Sequence, residues 1–226
     1  MTYAPILVTA VLRNGFVTRA PLSPALDGIL AYRHLYEKLG PEIFAENKAA
    51  GVATGADDLP VEIVRDGDHR WYSVSAPIFH AAGEQVTFYH RRFDDHIGQD
   101  RVVEKQKRVL TTGGPYKAAR KMDRKKITNA ISWHVIGDRP EIERLLSHIT
   151  QVGSARGRGY GEVVEWRYGE GDEVSARLNR ALPIDYARRH GLPGRTIEAA
   201  LHPPAWLPES RTMCIVPDVQ AVEQAA

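Results

Sequence analysis

Ten of the residues from 101 to 126 are lysine or arginine (Arg101, Lys105, Lys107, Arg108, Lys117, Arg120, Lys121, Arg124, Lys125 and Lys126). Only Glu104 and Asp123 oppose them, so the stretch carries a net charge of +8. Phosphodiesters are the partners such a run can meet, because each neutralised phosphate releases counterions and makes binding salt-dependent. Gly113, Gly114, Pro115 and Tyr116 interrupt the run. The pattern predicts two basic limbs around a turn, a projecting finger over 99–126, with Tyr116 placed to stack on a base. A solvated, lysine-rich surface loop is the alternative.

A second grouping is Gly153-Ser154-Ala155-Arg156-Gly157-Arg158-Gly159-Tyr160-Gly161. Backbone N–H groups can approach a phosphate where glycines such as Gly153, Gly157, Gly159 and Gly161 remove the side chains. A dinucleotide site or P-loop runs strand, loop, helix, and the P-loop ends in Gly-Lys-Ser/Thr. This loop follows a helical pattern, precedes a strand pattern and lacks that ending. Arg156 and Arg158 suit phosphodiesters or bidentate contact with an exposed base. A tight helix-to-strand connection is the alternative here.

Catalysis and metal binding have less to stand on. Metal-independent RNA cleavage needs a base, an acid and a cation. His34, His80, His90 and Tyr89, with Lys126, Arg156 or Arg158 for charge, are of the right types, yet no pair stands out among nine histidines. His134 reads as structural or solvent-facing. No His-x-x-x-His, Cys-x-x-Cys or His-Glu-x-x-His spacing occurs, and Asp94-Asp95-His96 reads as a turn, so neither metal nor cofactor is expected. The single cysteine, Cys214, allows no internal disulfide and fits a reducing, cytoplasmic setting.

These groups need elements to hold them. Residues 6–17 read as a strand with a bend at Arg13-Asn14-Gly15, and 24–39 as a helix started by Ser23-Pro24 and stopped by Gly40-Pro41. Gly28 inside that helix predicts close approach to a neighbouring backbone. Residues 45–58 are irregular. Asp66-Gly67-Asp68 joins strand patterns at 60–65 and 69–79. Strand patterns recur at 85–93, 127–136 and 163–168. The 127–136 pattern puts Ile131, Trp133 and Val135 on one face. A helix runs from Asp138, with Glu141 completing a capping box, to Gly153. Trp71, Trp133, Trp166 and Trp206 are assigned to core packing. The proline-rich tail over 180–226 predicts an extended segment packed across the domain without a core of its own.

The chain of 226 residues carries 30 Lys and Arg against 28 Asp and Glu, so outside 101–126 it bears 20 basic and 26 acidic residues, a net of −6. With 43% hydrophobic and 26% charged residues it is ordinary globular composition, which excludes collagen, coiled coil and disorder. The apolar run at 5–12 is short of the roughly 20 residues of a membrane helix, and no basic segment precedes it as in a signal peptide; no membrane partner is expected.

The element order is βαββαβ, that of an α+β ferredoxin-like domain. That order, the glycine loop before the last strand and the basic insertion resemble the RAMP superfamily of CRISPR-associated proteins. Ser23-Pro24-Ala25-Leu26-Asp27-Gly28-Ile29-Leu30-Ala31-Tyr32, Arg180-Ala181-Leu182-Pro183 and Pro203-Pro204-Ala205-Trp206 resemble one branch, the Cas-five-like subunit of type IV effector complexes or Csf-three family. The resemblance covers nearly the whole chain. It implies one RAMP domain over 1–226 with a thumb at 99–126, a binding rather than catalytic subunit that grips the 5′ handle of the guide RNA and caps a filament. The implied partners are Cas-seven-like backbone subunits and a large subunit, with target DNA beside the protospacer-adjacent motif and a DinG-type helicase as further candidates. The RNA contacts implied are Lys105, Lys107, Arg108, Tyr116, Lys117, Arg120, Lys121, Arg124, Lys125, Lys126, Arg156 and Arg158. Precursor-RNA processing by an endoribonuclease is the second reading.

Overall fold

The computed structural model describes residues 2–20, 22–42, 58–93, 112–113 and 117–216. Their first half contains β1 (Ala4–Leu12), β2 (Phe16–Val17), α1 (Leu26–Leu39), β3 (Ile63–Asp66), β4 (His69–Tyr72), β5 (Gly83–Arg91) and β6 (Ala119–Ile127). The second half contains β7 (Ala130–Gly137), α2 (Arg139–Leu146), β8 (Val163–Glu170), α3 (Glu173–Leu178), β9 (Leu182–Pro183), α4 (Ile184–Arg189), β10 (Arg195–Ala200) and β11 (Arg211–Val216). The irregular stretch 45–58 and the cluster Asp94-Asp95-His96 lie outside the described residues, apart from Asp58.

Alternation in β1 buries Ile6, Val8, Ala10 and Leu12 on one face. β1 lies between β7 and β8, antiparallel to both. Leu26 and Leu30 of α1 and Ile142, Leu145 and Leu146 of α2 close over the same face, around Ile131, Trp133 and Val135. Each such side chain contributes about 1.5–3 kcal/mol by leaving water. The whole is an α+β fold of antiparallel sheets and helices, consistent with the ferredoxin-like expectation.

Several local expectations change. The strand predicted over 6–17 breaks at Arg13-Asn14-Gly15, and β2 turns away to pair with β6. Helix α1 starts at Leu26, not Pro24. Its cap is Ala25, extended at ψ 130°, because the Pro24 carbonyl is held in the core by the Trp133 indole N–H at 3.0 Å. The strand predicted over 69–79 ends at Tyr72; from there the backbone leaves β3 and bonds the outer edge of β7, at Val74–Val135 and Ile78–Ser132. The Asp138–Glu141 capping box does not form. The Asp138 side chain makes no cap bond, and Glu141 is taken by Arg144, which also holds Glu37 of α1 at 2.9 Å.

The largest correction concerns the tail. Residues 180–216 are not an extended strap: β9, β10 and β11 form a sheet over a second core of Trp71, Ala181, Leu182, Ala187, Leu201, Cys214 and Val216. The prolines that read as an extended chain fall mostly between elements, and the alternation of Cys214 and Val216 buries one face of β11. Burial pushes the Cys214 thiol up to about 11, which leaves it inert at neutral pH. Arg180 staples the two cores. Its buried guanidinium donates to the carbonyls of Tyr72 and Leu201 and faces the buried Asp27 carboxylate of α1 at 3.7 Å. Desolvation pushes its pKa down, against the pull of Asp27. Gly28 does not serve close packing, since a Cβ there would meet no atom within 4 Å.

Candidate nucleic-acid interface

The basic residues on the C-terminal side of the predicted finger form a strand. β6 pairs with β5 in unbroken antiparallel register from Gly83–Ile127 to Arg91–Ala119, and β2 lies along its other edge. Lys117, Arg120, Lys121, Arg124, Lys125 and Lys126 therefore run along a ribbon whose partner strand, 83–91, lies before the predicted boundary at 99. Lys105, Lys107, Arg108 and Tyr116 lie outside the described residues.

A two-residue period splits the ribbon into two faces. The inner face carries Thr87, Tyr89 and Asp123 and meets the glycine loop. Thr87 and Tyr160 share a hydroxyl hydrogen bond of 2.9 Å. Arg158 lies 3.8 Å from the Tyr89 ring and 2.5 Å from the Asp123 carboxylate, and Arg19 adds a second cation at 3.7 Å. Asp123 is only 3% exposed, so these guanidiniums offset the cost of burying its charge. Arg158 also pulls the Tyr89 phenol below its ordinary value. Arg158, expected to face RNA, thus serves first as a pin between loop and ribbon. Lys121 and Lys125 stand on this inner face, opposite Tyr89 and Gln85.

The outer face holds a feature that the basic run alone does not announce. Val86 (45% exposed), Phe88 (50%) and Met122 (45%) form an apolar stripe across the two strands. Arg120 lies 3.9 Å over the Phe88 ring, while Arg124 and Lys126 hold Glu84 at 3.1 and 2.6 Å. An exposed aromatic among cations can stack a base and hold its phosphates. The signal is legible in part: Val86, Phe88 and His90 alternate just as Arg120, Met122, Arg124 and Lys126 do. Only their pairing brings the two rows together.

The glycine loop divides by role. A Cβ on Gly161 would collide with the Val152 carbonyl, and one on Gly153 would sit 2.7 Å from the Val17 carbonyl. Those two glycines serve the tight helix-to-strand connection. Gly157 and Gly159 face open space, and Arg156 and Arg158, with Gly157 between them, lie in a single 3-10 turn. Arg156 lies 5.7 Å over the Tyr32 ring of α1.

Of the catalytic candidates Tyr89 meets Arg158, and among the described residues no contact brings a histidine to that pair. Tyr89 and His90 are successive residues of β5 and face opposite sides. His80 precedes β5, and the seven residue steps from Gly83 to His90 span about 23 Å of extended chain. His34 lies on α1, where burial pushes its pKa down. His134 is structural, its Nδ1 accepting the Asp172 N–H at 2.9 Å. Among the described residues no group of three or more His, Cys, Asp or Glu is placed to hold a metal, and no helix is long and apolar enough to cross a membrane. Trp71 and Trp133 lie in the core as expected, whereas Trp206 is 52% exposed.

An α+β body with a basic ribbon beside a glycine loop is consistent with a RAMP-type protein. A family model described as CRISPR type IV associated protein Csf3 matches residues 4–217, and the chain belongs to that RAMP family. Membership associates it with type IV CRISPR systems. No curated protein is similar enough to be matched.

Proposed function

We propose that the protein is a non-catalytic subunit of a type IV CRISPR effector complex that binds the 5′ handle of the guide RNA and caps the backbone filament. In this reading β8, β1, β7 and the irregular segment bonded to the outer edge of β7 are the four strands of the ferredoxin-like order, and the β5–β6 ribbon is the root of the thumb. The observation that carries it is the ribbon's outer face, where Val86, Phe88 and Met122 stand half exposed among Arg120, Arg124 and Lys126. Single-stranded RNA can splay its bases onto such a face while cations hold its phosphates. The glycine loop lies beside the handle, with Gly157 facing open space and Arg156 paired with no carboxylate among the described residues. Cas-seven-like backbone subunits and a large subunit are the protein partners, target DNA and a DinG-type helicase join through the assembled complex, and the setting is cytoplasmic. Base pairing by the guide reads the target.

The test is to incubate the protein, free of metal, with a 5′-labelled CRISPR repeat RNA from the same genome and run native and denaturing gels. A shifted, intact band is expected. Neutralising Lys117, Arg120, Lys121, Arg124 and Lys125 together should lower affinity and flatten its salt dependence, by about 0.7 in slope for each phosphate no longer neutralised. An unchanged slope overturns the ribbon as the interface. A single specific cut returns the answer to an endoribonuclease.

A further inference from the structure

The three phrases that carry the family resemblance meet at one place the ribbon does not touch. Gly28 and Tyr32 of α1, Arg180 beyond α3, and Pro204 and Trp206 beyond β10 line a cavity of about 580 Å³ between the two cores. That size lies within the roughly 300–1,000 Å³ of small-ligand sites, and the surroundings are largely apolar. The ionised groups in its wall are already engaged. Arg180 serves the carbonyls of Tyr72 and Leu201, Asp27 accepts the Gly28 N–H at 2.8 Å and faces Arg180, and Glu198 is paired with Arg211 at 3.2 Å. A guest is therefore gripped by shape and aromatic surface, not by its polar edge.

Two features say what kind of guest fits. The first is charge: Arg156 of the glycine loop, which does not itself line the cavity, lies 5.7 Å over the ring of Tyr32, which does, and it faces no carboxylate in an ion pair among the described residues. A cation is thereby set beside an aromatic wall. The second is space, since a side chain at Gly28 would meet nothing within 4 Å, and no positive φ demands glycine there. Gly28 is a weak helix-former, and its missing side chain leaves the cavity wall open there.

We propose that this cavity receives one unstacked base of the bound RNA, lying against Tyr32 and Trp206, with the adjoining phosphate on Arg156. The inference rests on the RNA reading above and adds to it a second anchoring point, separate from the ribbon's outer face. Held by stacking and shape, the base is recognised as a flat ring more than as a particular letter.

The experiment compares the full-length wild type, Gly28→Phe, Trp206→Ala and the fivefold ribbon variant, each with the same repeat RNA and with copies of it carrying one abasic position at a time. Gly28→Phe fills the cavity and is expected to lower affinity about tenfold, the size of one base stack, with an unchanged or higher melting temperature. One abasic position should cost the wild type a similar factor and cost Gly28→Phe nothing. Trp206→Ala, at an exposed position, gives the same reading should the larger substitution prevent folding. If the ribbon variant loses RNA while Gly28→Phe and Trp206→Ala bind as the wild type does, the RNA reading stands and the cavity assignment falls. If Gly28→Phe keeps RNA affinity but no longer assembles with the backbone subunit, the cavity is a socket for a protein side chain and the assignment falls. If the wild type binds no RNA, both fall together.

Discussion

The central sheet and the β5–β6 ribbon are both antiparallel, yet they are held by opposite means. In the sheet, Val8, Ala10, Ile131, Trp133 and Val135 are fully buried under two helices. In the ribbon the apolar residues stand half in water, and what fixes it to the body is polar: the Arg158–Asp123 ion pair, the Thr87–Tyr160 hydrogen bond and the short ladder with β2. A two-stranded ribbon is marginal on its own. Its polar pins therefore decide where the outer face points, while the apolar residues of that face are left half in water. The contrast separates residues that make the fold from residues the fold merely displays.

The sharpest way to break that contrast is to remove one large side chain from each region. Trp133→Ala leaves a cavity in the core and strands the Pro24 carbonyl, so a loss of about 3–5 kcal/mol in denaturant unfolding is expected. Asp123→Asn comes next. It unpairs Arg158 and Arg19 without changing shape and should cost about 1–2 kcal/mol, below the figure for a fully buried pair because Arg158 stays about a third exposed. The loss should be local: hydrogen exchange should quicken in 83–91 and 119–127 and stay unchanged in β1 and β7. Uniform quickening would show that the ribbon is part of the main cooperative unit. Phe88→Ala is the mirror of the first change, with less than about 0.5 kcal/mol expected in stability and the effect appearing in RNA affinity instead. A stability loss comparable to that of Trp133→Ala would mean that the stripe packs against the body.

How legible each region is from sequence follows from the same contrast. The inward faces of β1 and β7 and the apolar side of α2 are readable because their periods of two and 3.6 are set by one continuous core. The tail misleads because its prolines look like an extended chain, and only the pairing of β11 with β9 and β10 shows that they punctuate a small sheet. Arg180 and Asp27 carry no local signal either, since a buried ion pair is made by residues far apart in the chain. At the candidate interface charge is visible and geometry is not. The basic run is plain, but a charge count cannot say that Arg158 faces Asp123, that Arg124 and Lys126 share Glu84, or that Phe88 lies beneath Arg120. Gly28 reads as a packing glycine because a glycine in a helix has two opposite explanations, close approach and open space, which the sequence cannot separate.

The smallest expected effect divides the two regions by pH. In β7, the Nδ1 of His134 accepts the Asp172 N–H, and an imidazolium has no lone pair to do so. Burial pushes the folded pKa of His134 below its ordinary 6.5, with the nearby Asp172 carboxylate opposing in part. Below pH 6.5 the unfolded chain therefore takes up a proton that the folded chain resists. The stability held by this group is complete above that pH and is lost as the pH falls through the depressed folded value. In the ribbon, Lys126 and Arg124 hold the Glu84 carboxylate below its ordinary 4.5, so its contribution survives until the pH falls below about that value. Between pH 6.5 and 5 acid should weaken the sheet and spare the Glu84 ion pairs of the ribbon. The check is the denaturation midpoint against pH for the wild type and for His134→Asn, whose Oδ1 can accept the same N–H without titrating. The wild type should lose stability across that window and the variant less, with a remainder from His34, whose pKa is lowered by burial in the same sense. Equal slopes would show that losing the Asp172 bond on protonation is made good by rearrangement of the strand end, and would move the acid-sensitive point of the fold to α1.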